Sequence, residues 1–180
     1  MSILTAPRVT EKVLQQELER MFREHYQLMY RTAYSMLGNQ ADADDVTQTI
    51  FLRLLRRGLP EDLNSNAQRY LYRAAVNVSL DMIRTRKRHP VADGVECIET
   101  LLENSDSNFE EERHRRLADA LAELHPETAQ ILILRYVHDH SDAEIAKLLG
   151  VSRGTMAMRL FRSRARLKKL MQESLKGGKP

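Results

Sequence analysis

The segment Ser141–Leu170, "SDAEIAKLLGVSRGTMAMRLFRSRARLKKL", reads as two helices meeting at a glycine. Ser141 with Glu144 forms a capping box, in which each side chain satisfies the other's orphan N–H. Ile145, Leu148 and Leu149 make one apolar stripe. Gly150 suits the left-handed residue that ends a helix, and Ser152 is the N-cap of the next. Met156, Leu160, Ser163 and Leu167 follow at helical spacing as the inner face of the second helix. This is helix–turn–helix grammar, in which the second helix enters a DNA major groove. A plain helical hairpin with a glycine turn shares the pattern. With that inner face, the outward arc holds Ala157, Met158, Phe161 and Arg162.

The charge of the chain points the same way. A net charge of +3 over 180 residues conceals strong segregation. Between Val91 and Glu112 lie Asp93, Glu96, Glu99, Glu103, Asp106, Glu110, Glu111 and Glu112, with no Lys or Arg. From Arg153 onward Arg159, Arg162, Arg164, Arg166, Lys168 and Lys169 face only Glu173 as an acid. A second basic cluster, "RTRKRH", spans Arg84 to His89. Two basic patches favour a polyanionic partner through counterion release, against the plainer reading of solvated faces.

Composition excludes several classes. The single cysteine, Cys97, rules out an intramolecular disulfide framework and has no zinc spacing. The apolar run "AQILIL" is far too short to span a bilayer, and "MSILTAPRVTEK" has no signal-peptide core. The expected location is the cytoplasm. His25, His89, His114, His125, His138 and His140 are scattered, and His138-Asp139-His140 reads as a loop. No catalytic constellation, metal motif or phosphate-binding loop is present, so no enzymatic activity, metal or cofactor is expected.

Periodicity makes the whole chain helical. Helices are expected from about Val13 to Leu37, from about Asp42 to before Gly58, and from about Ala67 to Arg88. The last carries an apolar stripe of Leu71, Ala74, Ala75, Val78, Met82 and Thr85. Val91 to about Glu111 reads as an acidic linker with a weak helix near "CIETLLE". Helices resume at "RHRRLADALAEL", break at His125-Pro126, and continue through "ETAQILILRYV" into the helix–turn–helix.

Two further helices carry candidate surfaces. With Ala43, Val46, Ile50 and Leu54 inward, the second helix points Asp44, Asp45, Gln48, Leu52 and Leu55 outward. Leucines among acids on an outer face mark a partner surface, unless they pack on the first helix or on another copy. The third helix aligns Arg69, Tyr70, Tyr72, Arg73, Arg84, Arg86, Lys87 and Arg88. Cations that follow a backbone beside rings that stack on bases suit single-stranded nucleic acid. Tyrosines near a helix start also serve as ordinary packing.

These pieces together resemble the extracytoplasmic-function sigma factors, dissociable specificity subunits of bacterial RNA polymerase, from about Leu18 to Met171. "DADDVTQTIFLRLLR" resembles the core-polymerase-binding helix of that family. "RYLYRAAVNVSLDMIRTRKR" resembles its promoter-melting helix. Leu121–Leu170 resembles its domain for the minus-thirty-five element. The chain departs from the family pattern at Thr49, at Val76, at Leu55 and Tyr70 where Trp is common, and at Met156-Ala157-Met158.

The resemblance implies an all-α protein of two small helical domains. These are residues 1–90 and 113–180, joined by a flexible acidic linker over 91–112. It implies core polymerase contacts at Asp44, Asp45, Gln48, Leu52 and Leu55. For the minus-ten strand it implies Asn64, Ser65, Asn66, Arg69, Tyr70, Arg73, Asn77, Arg84, Arg86 and Arg88. For the minus-thirty-five duplex it implies Ser152, Arg153, Thr155, Ala157, Met158, Arg159, Phe161, Arg162 and Arg164. The expected partners are core RNA polymerase, promoter DNA and an anti-sigma factor, with no membrane insertion and no small-molecule substrate. A stand-alone helix–turn–helix repressor or activator explains the C-terminal part equally well, but neither the basic third helix nor the outward leucines. A nuclease lacks clustered metal-binding carboxylates.

Overall fold

The computed structural model of the chain describes residues 6–58, 60, 66–88 and 105–177. Among them are seven α-helices and no strand: α1 Ala6–Leu37, α2 Gln40–Arg57, α3 Ala67–Arg88, α4 Ser105–Ala122, α5 Pro126–Tyr136, α6 Asp142–Leu149 and α7 Arg153–Gly177. The all-helical expectation holds.

Local chemistry sets the boundaries. Gly38 takes φ 82°, and its N–H returns to the Tyr34 carbonyl at 2.9 Å, ending α1. Asn39 caps α2 by accepting from the Asp42 N–H at 2.9 Å. Gly58, φ 79°, closes α2 with an N–H bond to the Leu54 carbonyl at 2.9 Å. Pro126 starts α5, where its missing N–H costs nothing.

Two apolar clusters share α3 between them. Leu71, Ala75 and Val78 pack with Leu18, Met29, Ala43, Val46, Ile50 and Leu54 of α1 and α2. Tyr72, Val76, Leu80 and Ile83, on a second stripe of α3, pack with Leu121, Leu124, Ile131, Leu134, Ile145, Met156 and Leu160. Each large side chain so buried contributes about 1.5–3 kcal/mol. The single expected stripe is therefore half of the story. Its Leu71, Ala75 and Val78 are buried, Ala74 and Met82 are half-buried, and Thr85 is exposed.

Polar bonds reinforce the seam between the helical groups. The Tyr72 hydroxyl donates to the Gln130 carbonyl, and Lys87 pairs with Glu123 at 2.9 Å. His138 Nε2 bonds Thr32 Oγ1 at 2.8 Å, and His114 Nε2 lies 3.1 Å from the Ser35 carbonyl. Of the two roles the sequence leaves open for Tyr72, stacking on bases and ordinary packing, the structure shows packing: Tyr72 is a buried anchor of this seam.

The linker expectation needs one correction. α4 begins at Ser105, so residues 105–112 are helical, while 91–104, including "CIETLLE", lie outside the described residues. Pairing explains the earlier start. Glu110 meets Arg113 at 2.7 Å, and Glu112 meets Arg116 at 2.7 Å and also Arg115. Reading 91–112 by composition alone overlooked the arginines one turn downstream. Acids in the first turns also complement the helix dipole.

Candidate polymerase and nucleic-acid interfaces

The α2 face is as the sequence pattern requires. Ala43, Val46, Ile50 and Leu54 are buried, while Asp45, Gln48, Leu52 (48% exposed) and Leu55 (42%) face solvent. Asp44 is half-buried, and its Oδ1 accepts from the Tyr26 hydroxyl at 2.8 Å. Asp42, at the head of the same helix, is buried between Asn39 and Arg86. Burial raises its carboxyl, but the bonds from Arg86 and Asn39 and the Arg86 charge together hold it below the ordinary carboxylate range.

The minus-ten set divides along α3. At the start of the helix, Tyr70, Arg73 and Asn77 line a cavity of about 520 Å³ between α2 and α3. Arg53 and Arg57 of α2 line it too, and sequence reasoning missed both. Their i, i+4 spacing in the last turns of α2 was the available signal. Asn77 Oδ1 is buried there with no hydrogen-bond partner. Three guanidinium groups and a phenol around one cavity supply the cations and the ring that the phosphate and base of a nucleotide require. Arg69 is exposed and lies against the Gly150 turn.

Arg84, Arg86 and Arg88 form the other group, about 16 Å further along the helix axis. Arg84 donates to the Ala122 and Leu124 carbonyls at 2.9 and 3.1 Å. Arg86 pairs with Asp42. Arg88 is exposed, and its Nε donates to the Arg84 carbonyl at 3.3 Å. Asn66 is the N-cap of α3, accepting from the Arg69 N–H at 2.9 Å. Asn64 and Ser65 lie outside the described residues.

The helix–turn–helix forms as its grammar dictates. Ser141 and Glu144 make both bonds of the capping box. Gly150 is left-handed at φ 68°, and Ser152 accepts from the Thr155 N–H at 3.1 Å. Met156, Leu160 and Ser163 of α7 are buried, and Leu167 is half-buried. Ser163 spends its hydroxyl on the Arg159 carbonyl at 2.8 Å. The outer arc presents Arg153, Thr155, Ala157, Met158, Arg159, Phe161, Arg162 and Arg164 to solvent, with Phe161 70% exposed. Tyr136, also exposed, places its ring 5.6 Å from the Arg164 guanidinium carbon, a cation–π contact between α5 and α7 absent from the sequence reading.

The histidine loop is structural. Thr32 Oγ1 donates to the Leu28 carbonyl at 2.7 Å, which leaves His138 Nε2–H as the donor to Thr32. The His138 ring stands edge-on to Tyr72 at 5.7 Å. Burial, then the Arg31 and His140 charges, push His138 down to about 4, so it is neutral at pH 7. Among the described residues no three His, Cys, Asp or Glu side chains are grouped to hold a metal, and no helix is long and apolar enough to cross a membrane.

Comparison with known proteins agrees with this geometry. The family model for sigma-70 region 2 matches residues 21–89, covering α3 and most of the α1–α2 hairpin. That for sigma-70 region 4 matches 114–167, covering the helix–turn–helix. The chain is 30% identical over 154 residues to the ECF RNA polymerase sigma factor SigE of Mycolicibacterium smegmatis, across 83% of this chain but only 60% of that protein's length. It is 31% identical over 144 residues to the RNA polymerase sigma factor SigV of Bacillus subtilis, across 78% of this chain and 82% of that one. Among solved structures, CnrH in complex with the cytosolic domain of CnrY is similar at a TM-score of 0.48 and 20% identity, over 94% of this chain and 99% of CnrH. With both sigma-70 regions present in order, and with a relative more than four-fifths covered, the chain belongs to the extracytoplasmic-function sigma factors of RNA polymerase.

Proposed function

We propose that the chain binds core RNA polymerase through the outward face of α2 and directs it to promoters by reading DNA with two separate surfaces. Residues 1–90 hold the polymerase face and the minus-ten surface. Residues 113–180 read the minus-thirty-five duplex, and 91–112 connect them. Asp44, Asp45, Gln48, Leu52 and Leu55 meet polymerase. Tyr70, Arg73 and Asn77, with Arg53 and Arg57, receive an unstacked base and its phosphate, whose extrusion costs a few kcal/mol. Asn64, Ser65 and Asn66 offer hydrogen bonds to the edge of that base, and Arg69, Arg84, Arg86 and Arg88 follow the strand. Arg153, Arg159 and Arg164 hold the duplex backbone while Ala157, Met158, Phe161 and Arg162 reach base edges. Ser152 and Thr155, at the start of α7, place helix N–H groups at a phosphate.

The observation that carries this reading is the exposed acid-and-leucine face on α2 in the same chain as an exposed recognition arc on α7. A stand-alone helix–turn–helix regulator needs only the second. The chain then acts without enzymatic chemistry of its own, in the cytoplasm where its polymerase works, and an anti-sigma factor holds it inactive by covering these faces.

Co-purification with core polymerase, followed by run-off transcription, tests the reading. The expected result is a stable complex and transcripts from defined start sites that core polymerase alone does not make. Binding to palindromic DNA as a dimer without polymerase affinity would replace it with the regulator reading.

A further inference from the structure

One side chain on the proposed polymerase face is already engaged from within the chain. The Tyr26 hydroxyl, on α1, donates to Asp44 Oδ1 at 2.8 Å. No other hydrogen bond joins the Asp44 carboxylate to the described residues. Tyr26 itself is held by its neighbours. Its ring centroid lies 5.7 Å from Phe22 at an interplanar angle of 59°, and 5.7 Å from Tyr30 at 25°. Phe22 in turn lies 4.9 Å from Phe51 on α2, and Tyr30 lies 6.2 Å from Tyr34.

The rings therefore run in one file from α2 along α1, following the i, i+4 spacing of Phe22, Tyr26, Tyr30 and Tyr34. The file fixes the plane of the Tyr26 ring and so the direction of its hydroxyl. The bond to Asp44 raises that hydroxyl above its ordinary value, so it remains a donor throughout the neutral range. A half-exposed aspartate without this bond samples several rotamers, and a partner must select one of them at an entropic cost. With Oδ1 pinned, the carboxylate is ordered before the partner arrives.

We infer that Tyr26 is a positioning residue for polymerase binding, presetting the Asp44 carboxylate so that Oδ2 accepts from a cationic or N–H donor on core polymerase. This rests on the assignment of the α2 face to polymerase. The aromatic neighbours make the role specific to the hydroxyl, because Phe at position 26 keeps the ring file intact and removes only the bond to Asp44.

A double-mutant cycle on the full chain decides it. Equilibrium affinity for core RNA polymerase is measured for wild type, Tyr26→Phe, Asp44→Asn and the double variant, with thermal melting recorded for each. Tyr26→Phe is expected to weaken binding about three- to tenfold, the size of one net hydrogen bond. Asp44→Asn is expected to cost more than tenfold. The double variant is expected to bind no more than about twofold weaker than Asp44→Asn, because the tyrosine acts through the aspartate. The melting temperature of Tyr26→Phe stays within about 2 °C of wild type. Wild-type affinity for Tyr26→Phe beside a weakened Asp44→Asn overturns the positioning role and leaves the polymerase face standing. Multiplicative losses in the double variant overturn it as well. Wild-type affinity for Asp44→Asn removes Asp44 from the polymerase face and the inference with it.

Discussion

Arg84 spans the seam between the two helical groups, donating from Nε to the Ala122 carbonyl at 2.9 Å and from Nη2 to the Leu124 carbonyl at 3.1 Å. These carbonyls belong to the end of α4 and the turn after it, where no intrahelical donor is available. A planar fork reaches both at once, as an ammonium cannot. The basic cluster at the end of α3 is thus a set of unlike residues. Arg84 and Arg86 hold protein partners, and Arg88 is exposed.

Arg84→Ala should therefore destabilise the fold by about 1–3 kcal/mol, and Arg84→Lys should recover only part of that loss. Arg88→Ala should leave melting unchanged. Arg88 is accordingly the clean probe of promoter opening. Its removal should lower the salt slope of open-complex formation by roughly 1 if it contacts a phosphate. An unchanged slope would make Arg88 a solvated charge. Replacing Arg84, Arg86 and Arg88 together should weaken open complexes further, with a drop in melting that a pre-melted promoter bubble does not rescue.

Polymerase binding should fail for Asp45→Arg, and for Leu52→Arg combined with Leu55→Arg, while the fold survives. All three positions face solvent, so the substitutions create no cavity. They set repulsion and desolvated charge on a surface proposed to be complementary. Co-elution with core polymerase at normal affinity would show that the face is misassigned.

What the sequence made legible was local. The capping box at Ser141 and Glu144, the left-handed Gly150, and the phases of α2 and α7 each depend on residues within one or two turns, and each is found in the structure. The second stripe of α3 was harder to see. Tyr72, Val76, Leu80 and Ile83 are interleaved with Leu71, Ala75, Val78 and Met82, and only packing against α4–α7 separates them from that first stripe. The cavity of Arg53, Arg57 and Asn77 joins two helices, and the bond from His138 to Thr32 joins a loop to α1. No periodicity within one helix encodes such pairs.

Acid should loosen the seam through His138. Its folded value, about 4, lies below the ordinary histidine value of 6.5, so the unfolded chain binds the proton more readily. The associated stability is present above about pH 6.5 and is lost as pH falls toward 4. The ring is partly exposed, so solvent screening limits the effect to about 1–2 kcal/mol. Melting temperature should fall between pH 7 and pH 5 in wild type, beyond the fall seen in His138→Leu. Parallel melting curves for the two proteins over that range would show that His138 titrates without consequence.

Phe161 closes the argument about the recognition helix. It is 70% exposed on α7, while Met156 and Leu160, five and one residues before it, are buried. Its neighbours on the outer arc are Ala157, Met158 and Arg162, all exposed. Such an arc suits the major groove at thymine, where the C5 methyl is an apolar target, with Arg162 free to reach a guanine edge or a phosphate. A phenyl ring this exposed adds little to folding, so Phe161→Ala should leave the melting temperature within about 1 °C, the behaviour of an ordinary surface substitution. Its effect should fall on sequence. In a randomised minus-thirty-five library transcribed by the holoenzyme, Phe161→Ala should relax preference at one or two positions by about 1–3 kcal/mol. Arg164→Ala should weaken all promoters about equally, because a backbone contact carries no sequence information. Tyr136→Ala should mimic a milder form of Arg164→Ala, since the ring holds that guanidinium at 5.6 Å. Unchanged base preference in the Phe161 variant would move sequence reading to other residues of α7, and a selective loss in the Arg164 variant would exchange the two roles.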